Sequence, residues 1–265
     1  MTLFCSLHRV RSHLRHVLLF SVAAISATLC ATSYSQAGDL PWHDAQQLVL
    51  VTTADWNANQ GSLLMFTFKD GRWQPVAGAV AISIGRAGSA WGTGLHAAQP
   101  GPTKREGDGR SPAGVFRIGE AFGYAPSVAT ALHYAAMGES DYCVDVTTSP
   151  LYNRIVDARK VGAAAVAGST EPMRRDIHVQ GDQRYKLGFV IEHNPNGTSA
   201  AGSCIFAHLW KAPGEPTAGC TAMAEPVMRQ LIAWLQPAQH PVFILLPQPE
   251  YARLKAPWQL PDLPH

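Results

Sequence analysis

A mostly β domain with one strong helix is the fold class this sequence predicts, and two observations carry it. Short runs of β-branched and aromatic residues recur between glycine-rich and polar breakers, while helical spacing of apolar residues is clear only once. The 265 residues exceed what one small core needs and fall short of two large domains, so a single domain with extra segments is expected.

The elements follow in order. Residues 47–53, 62–69 and 79–84 read as strands, and Asp70-Gly71 between Phe68 and Trp73 is a hairpin turn signal, so the first strands form an antiparallel meander. Residues 85–114 hold eight glycines, three prolines and the charged cluster Lys104, Arg105, Glu106, Asp108 and Arg110. A loop of that length reads either as a binding loop at a site rim or as a solvated surface loop. Residues 115–118 resume a strand. The Ala-rich stretch 127–137 predicts a short helix and 142–146 alternates like a strand, while 147–177 mixes turn and small residues without an assignable element. Residues 187–192 and 203–208 are strands expected side by side across the turn Asn194-Pro195-Asn196-Gly197. The one clear helix covers 225–235, with Val227, Met228, Leu231, Ile232 and Leu235 on its apolar face and Pro226 in its first turn. Residues 242–246 form a last buried strand, and the Pro-rich tail 247–265 reads as a surface wrap.

Residues 1–37 have the layout of a secretory signal. His8, Arg9, Arg11, Arg15 and His16 precede a 13-residue apolar run, and Ser35-Gln36-Ala37 is a small-x-small cleavage site. The run is shorter than the roughly 20 residues a membrane helix needs and no later stretch is long enough, so it reads as a secretory signal, with an uncleaved anchor as the alternative, and residues 38–265 form a single expected domain with no membrane span. Cys30 follows Leu29, where a lipoprotein peptidase needs a small residue. Without residues 1–37 the chain has 18 basic and 19 acidic side chains, a net charge of −1. Neither that balance nor any charge block points to nucleic acid as a partner.

Three cysteines remain, Cys143, Cys204 and Cys220, an odd number for an oxidising compartment. If Cys220 is the free thiol, Cys143 and Cys204 are either a disulfide or two buried thiols.

The stretch 205–223 is the one rich in chemistry. His208 ends an apolar strand, and Cys220 follows twelve residues later in a Gly/Pro/Thr-rich loop before the helix. A thiol at its ordinary pKa is only a few per cent thiolate at neutral pH, so Cys220 needs a base, and His208 suits that role. The nearby helix N-terminus would add a little support for negative charge on sulfur. Gly219 permits a tight turn that aims the amides of Gly219, Cys220 or Thr221 at a developing oxyanion. A lone cysteine is more often a small buried hydrophobe and a strand-end histidine a satisfied core residue; their pairing across a glycine loop favours acyl transfer. No CxxC or HxxxH spacing occurs and His178, His193 and His208 fall on different elements, so no metal and no cofactor is expected. His43, His96, His133, His240 and His265 read as surface residues.

This stretch resembles the signature of the YkuD-type L,D-transpeptidases, in which a strand-end histidine precedes Ser/Thr-x-Gly-Cys, here Thr217, Ala218, Gly219 and Cys220. The segments 104–116 (KREGDGRSPAGVF), 145–156, 188–206 and the surroundings of Arg86 fit as well, so the similarity covers residues 47–246. The resemblance implies a β-sandwich or barrel-like domain in the periplasm or cell envelope, with a groove for peptidoglycan stem peptides. It implies Cys220 as nucleophile and His208 as its base. Arg86, Arg105, Arg110, Tyr152 and Trp210 are candidate substrate contacts, with Asn153 or Arg175 as further helpers. A thioester resolved by an amine of another stem gives a cross-link, 3–3 or 1–3, and resolution by water gives an L,D-carboxypeptidase. The sequence departs from the family pattern at Ala218, where many members carry histidine, and at Ala222, where they carry arginine or asparagine. The short His208–Cys220 spacing points to a trimmed capping loop. Those departures also allow a catalytically silent envelope-binding module.

Overall fold

A computed structural model describes residues 40–264, which belong to one compact unit. The segment 1–37, read from the sequence as a secretory leader, and His265 lie outside the described residues. Among the described residues no helix is long and apolar enough to cross a membrane.

The strands are β1 (Gln47–Thr53), β2 (Gln60–Lys69), β3 (Arg72–Pro75), β4 (Val80–Ser83), β5 (Ser89–Trp91), β6 (Ser111–Gly123) and β7 (Tyr134–Ala136). They continue with β8 (Asp141–Cys143), β9 (Ile155–Asp157), β10 (Glu171–Pro172), β11 (Leu187–Ile191), β12 (Phe206–Leu209), β13 (Thr221–Met223) and β14 (Val242–Pro247). The helices are α1 (Ala158–Val161), α2 (Arg175–His178), α3 (Glu225–Trp234) and α4 (Gln248–Leu254).

The fold is mostly β. Eight strands close a barrel in the order β1, β14, β6, β11, β12, β13, β4, β2, and β2 pairs back to β1. Closure removes the exposed edges an open sheet would present. The hairpin at Asp70-Gly71 forms as its turn chemistry requires, with Asp70 at φ 53° and Gly71 at φ 75° and Phe68 opposite Trp73. Strands β1 and β14 pair in parallel and are buried on both faces, which is why they read as continuous apolar runs. One face fills the barrel. On the other, Leu48, Val242 and Ile244 share a small cavity with Trp258 and Leu260 from the C-terminal segment.

A separate three-stranded sheet, β10-β8-β9, lies outside the barrel. It meets the barrel through a second apolar cluster that holds Phe122, Met137, Cys143, Met173, Tyr185, Cys204, Phe206 and Cys220. Phe122, Tyr185 and Phe206 meet edge to face with centroids 5.1–5.8 Å apart, pairs worth about 0.5–1.5 kcal/mol each beyond their burial.

Four expectations change. Residues 127–137 contain no helix: Thr130 Oγ1 donates to the Ile232 carbonyl and accepts from the Leu132 amide, and β7 pairs with β6, so tertiary pairing overrides alanine's helix preference. Strand β6 starts at Ser111 rather than 115, because residues 111–113 pair with β5 inside the glycine-rich loop. The tail is no surface wrap, since it forms α4 and buries Tyr251, Leu254, Trp258 and Leu260 in the core. His96 is not a surface residue either: its Nδ1 accepts from the Val115 amide at 3.1 Å, and its ring packs among Trp91, Phe116 and Trp258.

Candidate active site

Strands β12 and β13 run parallel, with Ala207 opposite Thr221 and His208 opposite Ala222. One step back, the same register sets Cys220 beside Phe206, and the Phe206 amide donates to Cys220 Sγ at 3.3 Å. Alternation along a strand then projects His208, two residues on from Phe206, from the same face as the thiol. The site is therefore built from two adjacent barrel strands. Helix α3 starts only at Glu225, beyond β13, five residues after the cysteine.

Both groups are buried and neutral. Cys220 is the free cysteine among the described residues, and Cys143 and Cys204 form a disulfide. Burial is the first cause that pushes the Cys220 thiol up to about 12, and the nearby Glu171 carboxylate adds to it against the Phe206 amide. Burial also holds His208 down at about 4, with Arg184 and Arg175 adding to it. The Nδ1 of His208 lies 2.8 Å from the Leu209 carbonyl, so Nδ1 carries the hydrogen and Nε2 the basic lone pair. Among the described residues no hydrogen bond joins His208 to Cys220. The thiol instead donates to the Cys204 carbonyl at 3.4 Å. This is a resting thiol beside a neutral imidazole, not a preformed ion pair.

The loop before Cys220 is stapled from within. Thr217 Oγ1 accepts from the Gly219 amide at 3.0 Å and donates to the Cys220 carbonyl at 2.7 Å. Ser111 Oγ reaches the carbonyls of Gly219 (2.7 Å) and Cys220 (3.0 Å) and accepts from the Gly85 amide. Two expectations are corrected here. The Gly219 amide is occupied by Thr217 and Thr221 lies in the β12–β13 ladder, which leaves the Cys220 amide as the loop donor with no acceptor among the described residues. Gly219 does not have positive φ; an added Cβ would stand 3.1 Å from the Arg110 carbonyl oxygen, a tight approach to backbone.

A cavity of about 180 Å³ opens on Cys220. Arg86, Lys104, Glu106, Asp145, Glu171 and Cys204 contribute to its wall, a polar mixture of both signs around one thiol. Of the predicted contacts, only Arg86 lines it. Arg110 is committed elsewhere, its Nη1 donating to the carbonyls of Trp56 and Ser89 and its Nη2 to Asn57. Arg105 is exposed outside the cavity. Tyr152 sits behind the wall and donates from its hydroxyl to Glu106. Trp210 donates to Ser83 Oγ at 2.7 Å, tying β12 to β4 away from the thiol. Asn153 holds the site from behind: in the left-handed region at φ 64°, it accepts from the Cys204 amide and donates to the His193 and Asn194 carbonyls. Sequence reasoning missed Ser111, Glu171 and Tyr185. Ile205 lines this cavity and a larger one of about 560 Å³ that also carries Glu120, Arg154 and Glu192.

Fold and site together describe a closed barrel that holds one free thiol and one imidazole with a defined tautomer on a shared sheet face. No protein-family model matches the chain, and no curated protein matches it. Among solved structures it is similar to the helical cell shape determining protein Pgp2 from Campylobacter jejuni, at 14% identity and a TM-score of 0.37, covering 80% of this chain and 52% of that one. A point mutant of the same protein matches at 14% identity and a TM-score of 0.36, covering 77% and 48%. The chain thus spans about half the length of the solved chains it matches.

Proposed function

We propose that this chain is a cysteine-dependent L,D-transpeptidase of the cell envelope that acts on peptidoglycan stem peptides. The observation that carries this reading is the β12–β13 register, which supports Cys220 and the Nε2-basic His208 on one face, with a polar cavity opening on Cys220 and His208 buried behind it. The sequence resemblance supplies the substrate class.

Cys220 Sγ attacks the carbonyl carbon of the third stem residue as its proton passes to His208 Nε2. The Cys220 amide, the loop donor with no acceptor among the described residues, would donate to the developing oxyanion. Collapse breaks the C–N bond to the terminal D-alanine, whose amine takes the proton from the imidazolium, and leaves a thioester. An amine of a second stem then attacks, the C–S bond breaks, and the thiol regains its proton. A thiol that rests neutral reacts only when a bound substrate aligns it with the base, which limits loss to other electrophiles.

Incubation of the purified full chain with defined muropeptides, read by mass, tests the proposal. Cross-linked dimers are the expected product; trimmed monomers alone would make it an L,D-carboxypeptidase at the same site. Activity that survives both Cys220→Ala and His208→Ala would overturn both readings, and no product at all would leave the binding module.

A further inference from the structure

His208 has one anchor along its own chain, the Nδ1 bond to Leu209, which leaves the tilt of the ring to its neighbours. Tyr185 supplies the packing partner. Its ring meets that of His208 edge to face, with centroids 5.3 Å apart and planes at 65°. We propose that Tyr185 is a positioning residue for His208 and that Glu171, by holding the Tyr185 hydroxyl, joins the substrate cavity wall and the base into one rigid unit. The inference rests on the reading of His208 as general base.

The ring of Tyr185 is fixed on every side. Its hydroxyl donates to Glu171 Oε2 at 2.7 Å, the Arg175 guanidinium lies over its face at 5.2 Å, and Phe122 and Phe206 close its edges. Arg175 in turn pairs with Glu171 at 3.2 Å and Asp182 at 2.9 Å, and Arg184 pairs with the same Asp182. A site that needed only apolar filling would be served by phenylalanine without the desolvation cost of these ions. The arrangement is explained when orientation is what it provides.

Glu171 also stands at a structural junction. Its side chain lines the cavity beside Cys220, and its backbone pairs with Cys143. Cys143 is disulfide-bonded to Cys204, whose carbonyl accepts from the Cys220 thiol. Nucleophile and base are thus referenced to the same strand, β10, from two directions. The charged groups whose fields act on His208 are Arg184 and Asp182 from the segment before β11 and Arg175 from α2.

The test is steady-state kinetics of the full chain on defined muropeptides across pH, with melting curves for each variant. Tyr185→Phe keeps the ring and loses the clamp, so kcat is expected to fall about tenfold at unchanged KM, the mark of an orientation effect. Tyr185→Leu also admits water to His208, which moves the acid limb of kcat/KM up toward the ordinary histidine range near 6.5. Glu171→Gln, whose amide oxygen still accepts from the phenol, retains more kcat than Glu171→Ala. A wild-type kcat in Tyr185→Phe would overturn the inference. So would a Tyr185→Leu loss that tracks a lowered Tm while the acid limb stays in place. Cys220→Ala and His208→Ala serve as controls: if they are dead while the Tyr185 variants are normal, the inference alone fails, and if they are active, the functional reading fails and takes the inference with it.

Discussion

The Cys220 thiol donates to the carbonyl oxygen of Cys204, and Cys204 is disulfide-bonded to Cys143 across a sequence separation of 61. A covalent link from the outer three-stranded sheet therefore ends at the acceptor of the free thiol.

Replacing both partners, Cys143→Ser with Cys204→Ser, is expected to lower stability by about 4 kcal/mol, the chain-entropy value for a loop of this size. The urea midpoint reads that loss. Alkylation of Cys220 by iodoacetamide should accelerate at the same time, because its S–H acceptor and part of its cavity wall are released. An unchanged alkylation rate would show that the disulfide does not hold the thiol.

Acid should destabilise the protein between pH 6.5 and 4. His208 and His193 are both held near 4 in the folded chain, desolvation being the main cause, against 6.5 when unfolded. In that window the unfolded state binds more protons, so stability present above pH 6.5 is lost as pH falls, on the order of 3 kcal/mol for each histidine. Urea unfolding at pH 7.5 and 4.5 measures the drop. His193→Gln should remove its share of the slope; an equal slope in that variant would reject the assignment.

Thr217 Oγ1 serves as donor and acceptor within one loop, so Thr217→Val should cost about 1–3 kcal/mol by stranding the Gly219 amide and loosening the Cys220 carbonyl. Thr217→Ser keeps the hydroxyl and should restore most of it. Thermal melts of the pair, together with Cys220 alkylation, decide whether the hydroxyl or the methyl matters.

Arg86 is exposed at the cavity rim, and its backbone amide donates to the Thr217 carbonyl at 2.8 Å. Under the proposed function, its side chain is the part left to meet a stem carboxylate. Arg86→Ala is expected to raise KM for muropeptides about tenfold, roughly 1.4 kcal/mol, with kcat near wild type. A fall in kcat at constant KM would place Arg86 in the reaction rather than in binding.

The fold was legible where burial imposes a period. Strands β1 and β14 and helix α3 stand where their apolar patterns predict, since each owes its position to one large apolar face. Residues 127–137 misled because alanine content is a weak local preference and pairing with β6 is a non-local one. The tail hid a readable signal: Tyr251, Leu254 and Trp258 recur at helical spacing, but its prolines drew the reading toward a loop. Glu171 and Tyr185 left no local mark at all. Their segment has no period, and their partners come from β6, β8, α2 and β12.

The sequence by itself determined the nucleophile and base candidates, His208 and Cys220, and the odd cysteine that leaves one thiol free. Only the tertiary structure decided that the other two pair, that the Gly219 amide is occupied, and that thiol and imidazole both rest neutral. The physical reason is range. Residue type and spacing are written along the chain, whereas protonation state and donor availability depend on desolvation and hydrogen bonds supplied by segments such as 104–111, 143–153 and 171–185, which only folding brings to Cys220.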